Sequence, residues 1–243
     1  MPVFTGGCAK GPRKSRVWTQ AQAERLLMEA LQSDSPDERR RAVERVANSR
    51  YGDSDVCVKT MSLILRTDTS QVVRRMAARG LGRSRRASAF EPLLQVIDAS
   101  NHAQNVREPG AALRRACLDA VDLLVQAGVP YDGESQLVRL VAEMMLTDAD
   151  RGVRIAAARL LRRFQHPEAL DALIEVLRIP EFAVAYEAEQ SLIALTGHTN
   201  NRRYDTWRKW QEEVDDPFAD AGDAPPELVG DNQDLRWWQL FGK

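Results

Sequence analysis

The sequence predicts an all-α fold, a right-handed α-solenoid of about five stacked helix pairs with a C-terminal closing helix. Three observations predict it. Strand signals are nearly absent, while apolar residues recur at helical spacing almost throughout residues 19–195. One pattern returns along the chain: an apolar residue, Arg next, a small residue at +4 and an aliphatic one at +8. Its anchors fall at 38, 73, 113, 153 and 184, so the steps are 35, 40, 40 and 31 residues. Periods in this range mark stacked supersecondary units, none of which can bury its apolar face alone.

Each pair reads as helix A, turn, helix B. Pair one has an apolar run at 26–31, then Glu38-Arg39…Ala42…Val46, the weakest copy. Pair two has 56–65, then Val73-Arg74…Ala77…Leu81. Pair three has 90–97, then Leu113-Arg114…Cys117…Val121. Pair four has 137–146, then Val153-Arg154…Ala157…Leu161. Pair five has 170–177, then Val184-Ala185…Ala188…Leu192. Positions 0, +4 and +8 share one helix face, and the small residue at +4 admits a close neighbour. Pro36, Pro109 and Pro180 fall where B helices should begin, and Pro167 where an A helix should. After Leu195, Gly197 is a helix stop. Trp207 and Trp210 then share one face of a closing helix and should cap the core.

Asp68-x4-Val73-Arg74-x2-Ala77-x3-Leu81-Gly82 resembles the HEAT repeat, especially the bacterial HEAT-like type first noted in phycobilin lyase subunits. Asp148-x4-Val153-Arg154-x2-Ala157-x3-Leu161 resembles it too. The resemblance covers roughly residues 19–195. It implies that the turn Asp and the helix B Arg form a hydrogen-bonded ladder between repeats, a role that falls on Asp68, Arg74, Asp148 and Arg154. Glu108 stands in the Asp place of repeat three and Ser33 in that of repeat one, and repeat five lacks the Arg. The Leu-Thr-Gly…Trp-x2-Trp ending also resembles the closing segment of bacterial HEAT-like proteins.

The composition, 44% hydrophobic and 28% charged, belongs to a globular chain rather than a disordered one. No stretch of about eighteen apolar residues is present. Net charge is -1, but residues 214–243 carry seven acids and two bases, leaving residues 1–213 at +4. A mildly basic body precedes an acidic, Pro-containing tail that reads as a linker and ends in Leu235-Arg236-Trp237-Trp238-Gln239-Leu240-Phe241. The expected division is therefore an N-terminus at 1–18, a solenoid at 19–213 and a tail at 214–243.

The resemblance implies that helix B lines the concave face. Arg40, Arg75 and Arg115 sit at +2 of three successive B helices, beside Arg39, Arg74, Arg114 and Arg154 at +1. Two readings of the +2 row stay open: a basic groove for a carboxylate-rich partner, or a solvated face. Trp237, Trp238 and Phe241 are further candidates for partner contact. The polar loop at 98–110, with Asn101, His102, Asn105 and Arg107, is either a binding loop or a surface insertion.

Catalytic signals are weak. His102, His166 and His198 adjoin no Glu and pair with no Cys at zinc spacing, and no nucleophile elbow or phosphate loop appears. Cys8, Cys57 and Cys117 imply no disulfide framework. The expectation is a monomeric, non-enzymatic scaffold for a protein or peptide, with no cofactor or metal and no nucleic acid. The alternatives are a HEAT-like alkylpurine DNA glycosylase built on Asp205 and Trp207, or a phycobilin-lyase-type subunit. A pI of about 6.4 is low for a duplex-DNA binder. Met1 as the true start implies a cytoplasmic protein. Thr5-Gly6-Gly7-Cys8 resembles a lipoprotein signal end, so an upstream start would make Cys8 a lipid anchor in the cell envelope.

Overall fold

The computed structural model describes residues 18–98, 109–223 and 225. Cys8, residues 99–108 (Glu108 among them), Trp237, Trp238 and Phe241 lie outside the described residues. Among the described residues there are eleven α-helices and no strand. They form five antiparallel pairs: α1 (Gln20–Leu31) with α2 (Pro36–Ala47), α3 (Asp55–Thr67) with α4 (Gln71–Arg83), α5 (Phe90–Ile97) with α6 (Ala111–Gln126), α7 (Glu134–Thr147) with α8 (Arg151–Leu161), and α9 (Pro167–Val176) with α10 (Phe182–Thr196). The closing helix α11 (Tyr204–Glu213) packs on α9. The B helices α2, α4, α6, α8 and α10 stack in one continuous row, each also packed on its own A helix. The described residues form an all-helical solenoid.

The repeated pattern explains the stacking. At +4, Ala77, Cys117, Ala157 and Ala188 are fully buried, as are Leu81, Val121, Leu161 and Leu192 at +8. Small side chains there let consecutive B helices approach. The tightest point is Gly82, where a Cβ would sit 2.7 Å from the Cα of Ala120. Only a glycine allows α4 to touch α6 at that place. In the A row, Tyr131 stacks on Phe90 with ring centroids 4.6 Å apart.

Local chemistry sets the helix ends. Thr19 and Gln22 form a capping box on α1, and Ser35 with Pro36 at the first position opens α2. Asp150 caps α8 by accepting from the Val153 amide at 3.0 Å. Pro167 opens α9, whereas Pro109 and Pro180 stand two residues ahead of α6 and α10 and set the approach of the chain. Gly197 ends α10 in the left-handed region at φ +66°.

The closing end is held by a buried carboxylate. Glu189 is 2% exposed and accepts from the Trp207 indole at 2.7 Å, from Thr199 Oγ1 at 2.6 Å and from the amides of Asn200 and Arg202 at 3.1 and 3.0 Å. Four donors compensate its desolvation. Beyond α11 the chain turns back. The Gly222 amide donates to the Ala194 carbonyl at 3.0 Å, Phe218 packs on the core and Pro225 is buried. The stretch to 223 reads from composition as free linker, yet lies against α10. Its apolar contacts come from isolated residues that an average over an acidic segment hides.

Candidate functional site: the groove across the B helices

The turn aspartates come first, because they set the spacing of the B helices. Asp68 ends α3 with extended backbone and accepts from the Ser70 amide at 2.8 Å. It also binds Arg39 of the preceding B helix, Nε to Oδ2 at 2.7 Å and Nη2 to Oδ1 at 3.0 Å. Asp148 does the same for α7: it accepts from the Asp150 amide at 2.8 Å and holds Arg114 at 2.7 and 2.8 Å. Arg154 pairs with Glu181 of the next unit, a residue that stands in the place of the turn Asp and that motif spacing did not single out. Arg74 is fully buried and donates to the Leu65 carbonyl at 2.7 Å. These arginines face inward between units, so the +1 row contributes little to the open surface.

The +2 row does face outward, but it divides. Arg40 is held on its own helix by Glu44 at 2.9 Å and Asp37 at 3.8 Å. Arg75 and Arg115 line a groove of about 760 Å³ that runs across α4, α6 and α8. Ala112 and Ala116 give it a shallow floor, and Val72, Met76 and Leu123 give it apolar patches. Val72 is 46% and Leu123 38% exposed, so apolar surface stands open beside the cations.

The groove is not the uniformly basic channel that one reading of the arginine rows expects. Asp119, Asp122 and Asp150 line it together with Arg75, Arg79, Arg115 and Arg159. Its charge is nevertheless uneven. At the α8 end Arg159 is neutralised by Glu187 through two bonds of 3.0 Å, and Asp122 by Arg163 at 2.7 Å. Asp150 is engaged as a helix cap. Asp119 stands 3.9 Å from Arg115. The surrounding helices withdraw water from Asp119 and push its carboxyl up, against the opposing pull of Arg115 and Arg159. At the α4 end, among the described residues, no carboxylate lies at ion-pair distance from Arg75 or Arg79. The open end is therefore cationic with Val72 and Met76 beside it.

Sequence reasoning missed Arg79, Asp119 and Arg159. All three sit at +6 in their units, one turn beyond +2 and on the same helix face, so the signal was there to read. It also missed Tyr186 at +2 of the last unit. Tyr186 stacks on Phe182, which is 72% exposed and lies under the guanidinium of Arg202 at 5.3 Å.

Two arrangements resemble catalytic ones and fail on chemistry. Ser135 Oγ lies 3.2 Å from His166 Nε2, but His166 Nδ1 accepts from the Glu168 amide at 3.2 Å. In the neutral ring Nε2 then carries the proton and donates to the serine, so it is no base for that hydroxyl. Trp207 is fully buried with its N–H spent on Glu189, so it offers no face to a base beside the exposed Asp205. Among the described residues no cluster of three or more His, Cys, Asp or Glu could hold a metal ion. No helix among them is long and apolar enough to cross a membrane.

Residues 109–193, from the approach to α6 through most of α10, match the family model for HEAT repeats. This part of the chain is similar to HEAT repeats. No curated protein matches it. Among solved structures, a crystal structure of an engineered protein aligns with 80% of this chain and 92% of its own length, at 18% identity and a TM-score of 0.47. The complex of CpcE and CpcF of phycocyanin lyase from Nostoc sp. PCC7120 aligns with 80% of this chain and 82% of its own, at 19% identity and a TM-score of 0.39. The groove across α4, α6 and α8 spans the junction between the part that matches the HEAT-repeat model and the part before it.

Proposed function

We propose that this α-solenoid is a non-enzymatic scaffold whose α4–α6–α8 groove binds a protein or peptide segment. One observation carries the reading: a groove of about 760 Å³ in which Arg75 and Arg79 have no carboxylate partner among the described residues, beside exposed Val72 and the Met76 side chain. Free guanidinium groups bind carboxylates bidentately, and neighbouring apolar surface supplies most of the binding energy. A rigid helical wall with a small-residue floor suits an amphipathic helix or an extended segment that carries acidic and apolar side chains. The charges steer and select, and the apolar contacts hold.

The test is peptide display selected against the full chain, followed by affinity measurements on variants. Selected peptides should lose at least tenfold in affinity for Arg75→Glu with Arg115→Glu. They should keep it for Lys59→Glu with Arg66→Glu, on the separate surface between α3 and α5. Peptides that ignore the groove substitutions would remove the proposal.

A further inference from the structure

We infer that the groove is occupied in cis by the chain's own C-terminal segment, residues 226–243, which thereby competes with any partner. The inference rests on the reading of the groove as the binding surface.

The direction of the chain supports it. After α11 the backbone returns across α10, with the Gly222 amide on the Ala194 carbonyl and Asp220 packed against Gly197. Pro225 is buried. The last described stretch therefore lies against the C-terminal end of α10, which packs directly on α8. Packed helices lie about 8–10 Å apart, so α4 is roughly 30 Å from α10 along the row. An extended chain covers about 3.3 Å per residue. About nine residues beyond Pro225 thus bring Asp234 level with α4, and the aromatic end still lies ahead.

The order of chemistry along the segment matches the order along the groove. Glu227, Asp231 and Asp234 come first and Leu235, Trp237, Trp238, Leu240 and Phe241 follow. Crossing from α8 toward α4, the segment leaves arginines that already have partners and meets Arg115, Arg75 and Arg79. Val72 and Met76 lie at that far end. The surface between α3 and α5 offers no such match: Lys59 and Arg66 there alternate with Asp55 and Glu91. An aromatic cluster after an acidic stretch has strong reason to leave water.

The probe is a fluorescein-labelled synthetic peptide of residues 226–243, titrated into three full-length proteins. These are the wild type, Trp237→Ala with Trp238→Ala, and that double variant with Arg75→Glu and Arg79→Glu added. A tethered segment acts at an effective concentration on the order of millimolar. If the free peptide binds the aromatic double variant at about 100 μM, the wild type should bind it about tenfold more weakly, because its own segment fills the groove. The fourfold variant should not bind it, and Arg75→Gln with Arg79→Gln should weaken binding in the same direction. Equal binding to wild type and aromatic double variant, or binding that ignores the groove arginines, overturns the inference. A wild-type dimer in sedimentation that disappears in the aromatic double variant places the segment on a second copy and also overturns it. If display-selected peptides bind at the groove and the 226–243 peptide does not, this inference fails while the groove remains the binding surface. If neither binds there, both fail.

Discussion

Arg114 of one helix pair clamps Asp148 of the next through two parallel hydrogen bonds of 2.7 and 2.8 Å. The pair is nearly out of water, with side-chain exposures of 19% and 8%. Asp148→Asn should take one carboxylate away from the mostly buried Arg114 guanidinium and cost about 2–3 kcal/mol. Glu44→Gln, which breaks an exposed pair with Arg40 on a single helix, should cost under about 0.5 kcal/mol. Urea unfolding of the two variants measures the contrast. Equal costs would mean that the clamp adds nothing beyond a surface pair.

Glu189→Gln should destabilise the closing end by about 2–4 kcal/mol. The substituted amide turns one acceptor oxygen into a donor against groups that all donate: the Trp207 indole, Thr199 Oγ1 and the Asn200 and Arg202 amides. Tryptophan emission should shift to the red as Trp207 becomes wet. An unchanged emission maximum and melting point would show that the hub is dispensable.

Two glycines separate backbone strain from packing. Gly128 and Gly197 both have positive φ, +69° and +66°. A Cβ on Gly128 meets nothing within 4 Å, but one on Gly197 would lie 2.4 Å from the Asp220 carbonyl oxygen. Gly128→Ala should therefore cost only the conformational term, about 1 kcal/mol. Gly197→Ala should cost more and detach the stretch around Asp220 from α10. Limited proteolysis after α11 together with thermal melts reads both effects, and equal behaviour of the two variants would refute the packing of this stretch.

Burial pushes the Cys117 thiol from the ordinary 9.0 up to about 12. The unfolded chain ionises this thiol first as pH rises. The stabilising contribution is therefore whole below pH 9 and is lost between pH 9 and about 12. Cys117→Ala should be nearly neutral at pH 7, since the side chain only fills a small packing position. It should also flatten the alkaline loss of stability over that window. Identical pH curves for wild type and variant would contradict the burial of this thiol.

Much of the fold could be read from the sequence because it is local. The 0, +4 and +8 positions lie within one helix, and Val73, Ala77 and Leu81 are all fully buried. Turn chemistry was legible for the same reason, as Asp68 and Gly197 illustrate. The groove was only half legible. Arg75 and Arg115 follow from the repeat, but the partner that neutralises Asp122 is Arg163, forty-one residues away. Which arginine finds a carboxylate depends on the lateral offset of neighbouring helices, and periodicity along the chain does not encode that offset. Glu189 was missed because nothing in its neighbourhood on α10 announces four donors arriving from the following loop and α11.

The most direct test of the groove as the binding surface is site-specific photo-crosslinking in the cell of origin. A benzophenone amino acid is placed at Val72, in the groove, or at Lys59, on the separate surface between α3 and α5. The predicted result is a covalent adduct from position 72, either with a partner protein or with residues 226–243 of the chain itself, that is lost when Arg75→Glu and Arg79→Glu are added. Adducts from position 59 with none from position 72 would contradict the account.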